Sequence, residues 1–234
     1  MTEDYLKALY AAEERGEGAL GVTEIARRMN VVASTASENV GKLQRQGLVE
    51  HAKYQKVHLT ERGREMAIAT VRRHRILETY LYEKLEFAWD EVHREAEVLE
   101  HAMSATLLER MDRALGHPQR DPHGDPIPQP GQTQRVDADL PLLDLSPGQG
   151  ATVTRISDAD PALLRYLEAR GVVLDAQVTV REKLTHAGLV DVEVCPPQHW
   201  RPRTREQLRP GVSPGQTTSV TLGDRAAEAI SVSV

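Results

Sequence analysis

One stretch of the sequence, HREAEVLEH at residues 93–101, concentrates side chains that can bind a metal ion. Its four candidate ligands are His93, Glu97, Glu100 and His101. At about 100° of rotation per helical residue, these side chains fall within a sector of roughly 100°. Imidazoles and carboxylates that converge on one helix face are typical donors to a first-row divalent metal. The stretch therefore predicts a metal centre.

A second pair of candidate ligands, His74 and Glu78, has i, i+4 spacing on a long predicted helix that precedes this stretch. Such a pair taken alone is more often part of a solvated helix face. Packed antiparallel, the two helices would bring both ligand sets together. With Asp4 on a third helix, seven candidate ligands are available, and their buried carboxylates would repel one another without a cation.

The same residues argue against hydrolytic or nucleophilic chemistry. Glu97-x-x-Glu100-His101 differs from the inverted zinc-protease signature His-x-x-Glu-His in its first ligand, HExxH does not occur, and the nine histidines form no plausible nucleophilic triad. The one cysteine, Cys195, excludes an internal disulfide and a cysteine-based zinc site, which favours a reducing cytoplasm. We therefore expect a binding protein and not an enzyme, with a carboxylate-bridged di-metal enzyme as the alternative from another class.

Charge is distributed unevenly along the 234 residues. The chain carries a formal charge of −6, yet residues 22–75 hold 11 Lys and Arg against 5 Asp and Glu. A basic module joined to an acidic remainder is expected when one domain meets nucleic-acid phosphates, although a solvated basic face gives the same count. The sequence has no apolar run of roughly 20 residues and no signal peptide, so we expect no membrane association.

The basic module has the element order of a winged helix-turn-helix. Periodicity and turn residues predict helices over 3–15, 23–29 and 34–46, strands over 48–50 and 56–60, and a long helix over 60–85. In this arrangement the 34–46 helix would enter the major groove of DNA.

Short polar side chains near the start of that helix can reach base edges, and basic groups around it can meet phosphates. The predicted base-reading residues are Ser34, Thr35, Ser37, Glu38 and Asn39. The predicted phosphate contacts are Arg27, Arg28, Lys42, Arg45 and, in the wing, Lys53. The alternative is a solvated helix that Ser34 merely caps.

The rest of the chain divides at its prolines. A helix is predicted over 89–115, and the proline-rich segment 116–130 cannot continue it. Further prolines at positions 141 and 147 extend this boundary as a linker. Beyond it, short strands predict a small β-barrel, with one helix at 163–170 and a loop at 195–216 that is rich in Pro and Arg. The strands are predicted over 151–156, 177–182, 189–194, 219–222 and 230–234.

These residues resemble the metal-dependent repressors of the diphtheria toxin repressor and manganese transport regulator family. The matching stretches are Glu3–Leu6, Val22–Val49, Arg73–Glu78, Val92–Ser104 and His123–Pro128. The resemblance implies an α+β protein of the three-domain type. Its parts would be a winged helix-turn-helix DNA-binding domain at 1–70, a helical metal-binding and dimerisation domain at 71–138, a linker at 139–147, and an SH3-like (FeoA-like) small β-barrel at 148–234.

The resemblance also implies roles for the candidate ligands. A primary site would use Asp4, Glu97, Glu100 and His101. An ancillary site would use His74, Glu78 and His93, and Asp160 occupies a position from which the SH3-like domain can add a ligand. Metal binding through Asp4 would then fix the winged helices of a homodimer at the spacing of successive major grooves, about 34 Å.

Metal preference follows from the donor atoms. Iron-responsive relatives use sulfur in the primary site, whereas Asp4 and Glu97 offer oxygen. Hard carboxylates suit Mn²⁺, so we expect a Mn²⁺-responsive transcriptional repressor of metal-homeostasis genes that binds double-stranded operator DNA, with Fe²⁺ as the second choice. A winged-helix regulator that answers a non-metal ligand is the alternative. For the barrel, a purely structural role, a role in protein interaction and a regulatory contact to the metal domain stay open.

Overall fold

The computed structural model describes residues 1–52, 55–129, 139–201 and 211–234. The chain divides into two compact units. The first contains Met1–His74 with a short later segment, and the second contains Arg75–Ile127 with the C-terminal part of the chain. Lys53, predicted as a wing contact, lies outside the described residues.

The first unit is a winged helix-turn-helix. Its elements are α1 (Thr2–Glu14), α2 (Val22–Arg28), α3 (Ala33–Arg45), β1 (Val49–Glu50), β2 (His58–Leu59) and the first half of α4 (Glu61–Leu85). Strands β1 and β2 pair antiparallel, with Val49 opposite Leu59, and form the base of the wing. Each element begins and ends within two residues of the position that the sequence predicts.

Helix α4 begins close against the turn that follows α3. A Cβ atom at Gly63 would lie 1.9 Å from the carbonyl oxygen of Leu48, so this approach requires glycine. The hydroxyl of Thr60 accepts a hydrogen bond from the Gly63 amide at 3.0 Å and caps the helix. Both contacts fix the start of α4 against the turn that follows α3.

Two short helices follow α4 in the second unit, α5 (Val92–Leu99) and α6 (Ala105–Leu115). The single helix predicted over 89–115 is therefore wrong. Ser104 starts α6 afresh, because its backbone is extended and its hydroxyl accepts a hydrogen bond from the Leu107 amide at 3.2 Å. None of the helices in the described part of the chain is both long and apolar enough to cross a bilayer.

The C-terminal part of the second unit, residues 140–234, is called the β-domain below. Its strands are β3 (Leu140–Pro141), β4 (Gly150–Ile156), β5 (Gln177–Leu184), β6 (Leu189–Cys195), β7 (Thr218–Gly223) and β8 (Ile230–Ser233), and its helices are α7 (Pro161–Glu168) and α8 (Asp224–Glu228). All neighbouring strands are antiparallel, in the order β3-β8-β4-β5-β6-β7. Alternate side chains of β6, from Val190, Val192 and Val194, are fully buried, as strand geometry requires.

The start of the β-domain differs from the linker expected over 139–147. Leu140 and Pro141 pair with β8, and Leu142 and Leu145 are buried in the core beneath the sheet. Pro141 is tolerated because β3 is an edge strand, so proline does not mark a linker at this position. The sequence pattern does not predict helix α8, because five residues are too few to show helical periodicity.

Candidate metal centre and DNA-reading helix

Two carboxylates and an imidazole meet in the second unit. The Nδ1 atom of His93, on α5, lies 3.0 Å from Oε1 of Glu78, on α4. The same Nδ1 atom lies 2.9 Å from Oδ2 of Asp158, which follows β4. Glu78 is 1% exposed, so its charge is removed from water. The fold thus joins two predicted ligands to an acid that the sequence reasoning missed.

A second imidazole, that of His123, reaches the same place from the segment after α6. Its Nε2 atom lies 3.1 Å from the carbonyl oxygen of Trp89, and because a carbonyl only accepts, Nε2 carries the proton. Its Nδ1 atom is buried and has no hydrogen-bond partner among the residues that the structure describes. One ligand atom from each of Glu78, His123 and Asp158 lies within 4.8 Å of the others, and we call these three residues the cation cluster.

The His123 turn, residues 121–126, holds its shape through local hydrogen bonds. Oδ1 of Asp121 accepts from the backbone amides of His123, at 2.8 Å, and Asp125, at 3.0 Å. Gly124 has a φ of +93°, and a Cβ atom there would lie 2.1 Å from a backbone carbonyl oxygen of β4. Glycine therefore allows the turn to lie directly on β4, and the aspartate fixes the direction of the histidine.

The carboxylates around the cation cluster stabilise a positive charge placed among them. Burial disfavours the imidazolium of His93, but hydrogen bonds to Asp158 and Glu78 outweigh burial and raise its pKa to about 11. Burial also raises the pKa of Asp158, yet its pairing with His93 wins and lowers it. The pKa of Asp121 is raised, first by burial and then by Asp125 and Glu78. A proton on His93 supplies part of the charge that a metal ion would otherwise supply.

These donors fit a divalent transition metal. The cation cluster offers carboxylate oxygens from Glu78 and Asp158 and an imidazole nitrogen from His123 that needs a partner. The other ring nitrogen of His123 donates to a backbone carbonyl, which is how metal-binding histidines are usually fixed in one tautomer. A bound cation would supply the positive charge that buried carboxylates require.

Asp160, the predicted ligand from the SH3-like domain, does not join this cluster. Its Oδ1 atom accepts hydrogen bonds from the amides of Ala162, at 3.0 Å, and Leu163, at 3.2 Å, so it caps α7. Its Oδ2 atom pairs with Arg225 at 3.1 Å. Asp158 takes the place beside His93. The Asp160-Pro161 dipeptide is a helix-start signal. It indicates that Asp160 caps a helix, which leaves Asp158 as the acid available to bind a metal.

The predicted ligands at the end of α5 lie on both sides of the point where that helix ends. Glu97 lies within the helix, with Oε1 3.6 Å from Nε2 of His93. Glu100 is the C-terminal cap and is 1% exposed. His101 lies beyond the helix, with Nε2 3.9 Å from Oε1 of Glu100. The one-face arrangement expected for a continuous helix therefore applies only as far as Glu100.

Two further predicted ligands belong to the first unit. Asp4 lies in the first turn of α1 and pairs with the amino terminus at 2.6 Å. His74 is buried on α4, with Nδ1 3.4 Å from Nζ of Lys7. Both side chains thus have partners within this unit, and their metal roles stay predictions.

Helix α3 has the surface that a DNA-reading helix needs. Ala36, Val40 and Leu43 are buried at helical spacing, so the opposite face is turned to solvent. The exposed residues include Ser34, Ser37, Glu38, Lys42 and Arg45. Thr35 is half-buried, and Asn39 donates a hydrogen bond from Nδ2 to the Tyr5 hydroxyl at 3.0 Å.

The arginines at the end of α2 form ion pairs within the first unit. Arg27 contacts Glu24 at 2.6 Å, and Arg28 contacts the same carboxylate at 3.0 Å and also pairs with Glu17. Hydrogen bonds from Arg27 and Arg28 lower the pKa of Glu24 to about 2. DNA phosphates would have to compete with these carboxylates for both guanidinium groups.

Known sequence families match the chain in three successive parts. Residues 1–57 match the family described as iron dependent repressor, N-terminal DNA binding domain. Residues 60–129 match iron dependent repressor, metal binding and dimerisation domain, and residues 140–234 match the FeoA domain. Together with the winged helix and the cation cluster, these matches define a metal-dependent transcriptional regulator.

Individual relatives cover most of the chain. The iron-dependent repressor IdeR of Mycobacterium tuberculosis is 36% identical over 194 residues, which are 76% of this chain and 83% of that protein. A manganese-dependent transcriptional repressor solved in complex with manganese is 42% identical, with 99% of both chains covered and a TM-score of 0.86. The structure of ScaR with bound Cd²⁺ is 28% identical, with a TM-score of 0.77 over 100% of this chain and 99% of that chain.

The chain belongs to the diphtheria toxin repressor and manganese transport regulator family. It is a metal-dependent, DNA-binding transcriptional repressor, and the alternative of a di-metal enzyme is excluded because the family consists of repressors. The predicted α+β fold, with its winged helix, helical metal-binding domain and SH3-like domain, is confirmed.

Proposed function

We propose that Mn²⁺ is the metal to which this repressor responds, and that metal-loaded protein represses genes of metal homeostasis in the cytoplasm. The observation that carries the proposal is the donor set of the cation cluster, two carboxylates and an imidazole without sulfur. Such hard ligands suit Mn²⁺, although other first-row divalent metals bind nitrogen and oxygen more tightly, so availability must add to selectivity. The similar structure solved with manganese supports this choice, whereas the name of the mycobacterial relative keeps Fe²⁺ as its rival.

For the ancillary site we propose Glu78, His123 and Asp158 as ligands. His93 lies beside them, 3.0 Å from Glu78 and 2.9 Å from Asp158, and would bind the metal after losing its proton. In this proposal Asp158 takes the ligand role that the family resemblance implies for Asp160. His74, one helical turn before Glu78 on α4, is retained from the sequence resemblance.

For the primary site we propose Asp4, Glu97, Glu100 and His101. This assignment rests on the sequence motif and the family resemblance. Buried Glu100 supports it, because a carboxylate that is 1% exposed requires a compensating positive charge. Asp4→Asn should leave the unfolding transition unchanged and weaken metal-dependent DNA binding, which equilibrium unfolding and DNA titration would measure.

We propose that α3 reads the operator through its exposed face. Ser34, Ser37 and Glu38 lie near its N-terminal end, where a recognition helix contacts bases, and Lys42 and Arg45 lie nearer its C-terminal end. Glu38 and Lys42 pair at 2.8 Å, so the lysine partly screens the carboxylate that would otherwise repel phosphate. The further contacts proposed are Arg27, Arg28, Thr35, Asn39 and Lys53.

We propose a homodimer built on the helical part of the second unit. Val98 is 68% exposed, Leu99 39% and Leu107 44%, so α5 and α6 present apolar side chains to solvent. A second copy would bury this surface, and the matched family description names dimerisation for this part of the chain. Two winged helices related by twofold symmetry would then bind a palindromic operator.

DNA binding across a buffered free-metal series tests the choice of metal. Duplexes selected from a random pool by Mn²⁺-loaded protein would serve as the operator, and fluorescence anisotropy would report affinity under anaerobic conditions. We expect tight binding at lower free Mn²⁺ than free Fe²⁺ relative to their cellular levels, and loss of binding on chelation. Stronger coupling of DNA binding to Fe²⁺ than to Mn²⁺ would contradict the assignment of Mn²⁺. Undiminished DNA binding after chelation would favour a non-metal effector.

A further inference from the structure

A buried network of ion pairs lies beside the cation cluster. Arg75 and Asp125 are 7% and 6% exposed, and Nη2 of Arg75 lies 3.6 Å from Oδ1 of Asp125. The same oxygen lies 3.4 Å from Nη1 of Arg155. Nε of Arg75 lies 3.7 Å from Oδ2 of Asp121. Asp125 is therefore held between two guanidinium groups that come from different parts of the second unit.

The arginines of this network lie close in sequence to the carboxylates of the cation cluster. Arg75 precedes Glu78 by three residues on α4, and Arg155, on β4, precedes Asp158 by three residues. Asp125 follows His123 by two residues in the His123 turn. Each candidate ligand thus lies two or three residues along the chain from a residue of the network. Fixing the network fixes the relative positions of all three ligands.

Backbone hydrogen bonds seat the His123 turn on both neighbouring elements. Nη1 of Arg75 donates to the carbonyl oxygen of Pro126 at 2.6 Å. The amide of Ile156, in β4, donates to the carbonyl oxygen of His123 at 2.9 Å. The indole of Trp89 donates to the Pro122 carbonyl at 2.8 Å, and its ring stacks on His123 at 5.6 Å between centroids. These contacts need no metal.

We propose that Asp125 is a positioning residue that assembles the cation cluster before a metal ion binds. By pairing with Arg75 and Arg155, it keeps the His123 turn between α4 and β4 and so holds the β-domain on the helical part of the second unit. The metal then binds a preformed site, and the β-domain stays in place in the metal-free repressor. Metal binding at this cluster rests on the proposed function, whereas the placement of the β-domain does not.

Hydrogen exchange of the metal-free, full-length protein tests preassembly. The wild-type amide of Ile156, which donates to the His123 carbonyl, should exchange slowly without metal, and Asp125→Asn should speed its exchange by roughly tenfold or more. Glu193→Gln is the matched control, because it removes a carboxylate from an exposed pair with Arg181 in the same β-domain. Fast wild-type exchange that becomes slow only with Mn²⁺, or unchanged exchange in Asp125→Asn, would overturn the proposal.

Mn²⁺ titration separates positioning from a general loss of structure. Asp125→Asn and Arg155→Gln should each weaken Mn²⁺ binding at the cluster by roughly 10–100-fold, which is the usual effect of substituting residues that orient metal ligands. Saturating Mn²⁺ should restore slow exchange in both variants, and Arg155→Lys should retain most of the affinity. Wild-type affinity in both variants would overturn the role of Asp125. If the wild type binds no Mn²⁺ at the cluster, the proposed function fails, and the exchange result still decides the positioning of the β-domain.

Discussion

At the scale of single residues, the chemistry of His123 depends on which of its nitrogens is already used. Nε2 is bound to the Trp89 carbonyl, and buried Nδ1 has no hydrogen-bond partner in the described part of the chain. A buried polar atom without a partner is costly unless a ligand, ion or water completes it. Its place beside Glu78 and Asp158 makes a cation the fitting partner.

His123→Phe removes both ring nitrogens and keeps an aromatic ring against Trp89. We expect the variant to remain folded and to weaken Mn²⁺ binding at the cation cluster by at least about tenfold, since a direct ligand matters no less than its supports. Isothermal titration of metal-free protein measures this change. His117→Phe, at an exposed histidine that pairs with Asp112, is the control, and equal affinities for the two variants would contradict the ligand assignment.

The pKa of His93 gives a pH dependence with a defined sign. Its pKa of about 11 in the folded protein lies above the ordinary 6.5, so protonation contributes stability that is fully present below about pH 6.5 and is lost as the pH rises toward 11. We expect the free energy of unfolding of metal-free protein to fall between about pH 7 and pH 9. Urea unfolding should show a smaller fall in His93→Gln, and identical slopes would contradict the assignment.

The residue types predicted a metal site, but they did not predict all the residues that form the cation cluster. His93 and Glu78 could be found because helical spacing places them on defined helix faces. Asp158 and His123 could not, because they lie in irregular segments whose approach to α4 depends on tertiary packing. Asp160 caps α7 in the structure, and sequence position alone does not show which of two neighbouring acids caps a helix.

At the scale of elements, helical periodicity predicted the winged helix to within two residues, but local capping broke the predicted 89–115 helix. Ser104 competes with helix continuation through its own hydroxyl, which periodicity does not register. The edge strand β3 was missed for a similar reason, since Pro141 is compatible with both an edge and a linker. Boundaries therefore failed where a single side chain decides the backbone conformation.

Helix α3 provides a test of the DNA-reading surface. Lys42→Gln should weaken operator binding across all duplex sequences and reduce the slope of log affinity against log salt by about 1, because one phosphate contact is lost. Lys84→Gln, at an exposed lysine near the end of α4, is the control. Salt titration by anisotropy measures both slopes, and an unchanged slope for Lys42→Gln would remove this residue from the interface.

Helices α5 and α6 provide a test of dimerisation. Leu107→Glu places a charge in the proposed interface, so we expect monomers in light scattering and a loss of at least about tenfold in affinity for a palindromic duplex. Leu140→Glu changes a leucine of similar exposure, 45% against 44%, in the β-domain and should leave the dimer intact. A dimeric Leu107→Glu variant would place the interface elsewhere.

At the scale of the whole molecule, metal sensing and DNA reading are separate tasks within one chain. Helix α3, the proposed DNA-reading helix, belongs to the first unit, and the cation cluster lies wholly within the second. Charge follows the same division, with the excess of Lys and Arg in residues 22–75. A metal ion in the cation cluster can therefore regulate DNA binding only by changing the balance between conformations or assemblies of the whole chain.

Anomalous diffraction from crystals of the full-length protein grown with Mn²⁺ would show whether the cation cluster binds manganese. Data collected on both sides of the manganese absorption edge identify the element as well as its position. We expect a manganese peak bonded to Nδ1 of His123 and to carboxylate oxygens of Glu78 and Asp158. Fully occupied manganese sites elsewhere in the molecule, with none at these three residues, would contradict it.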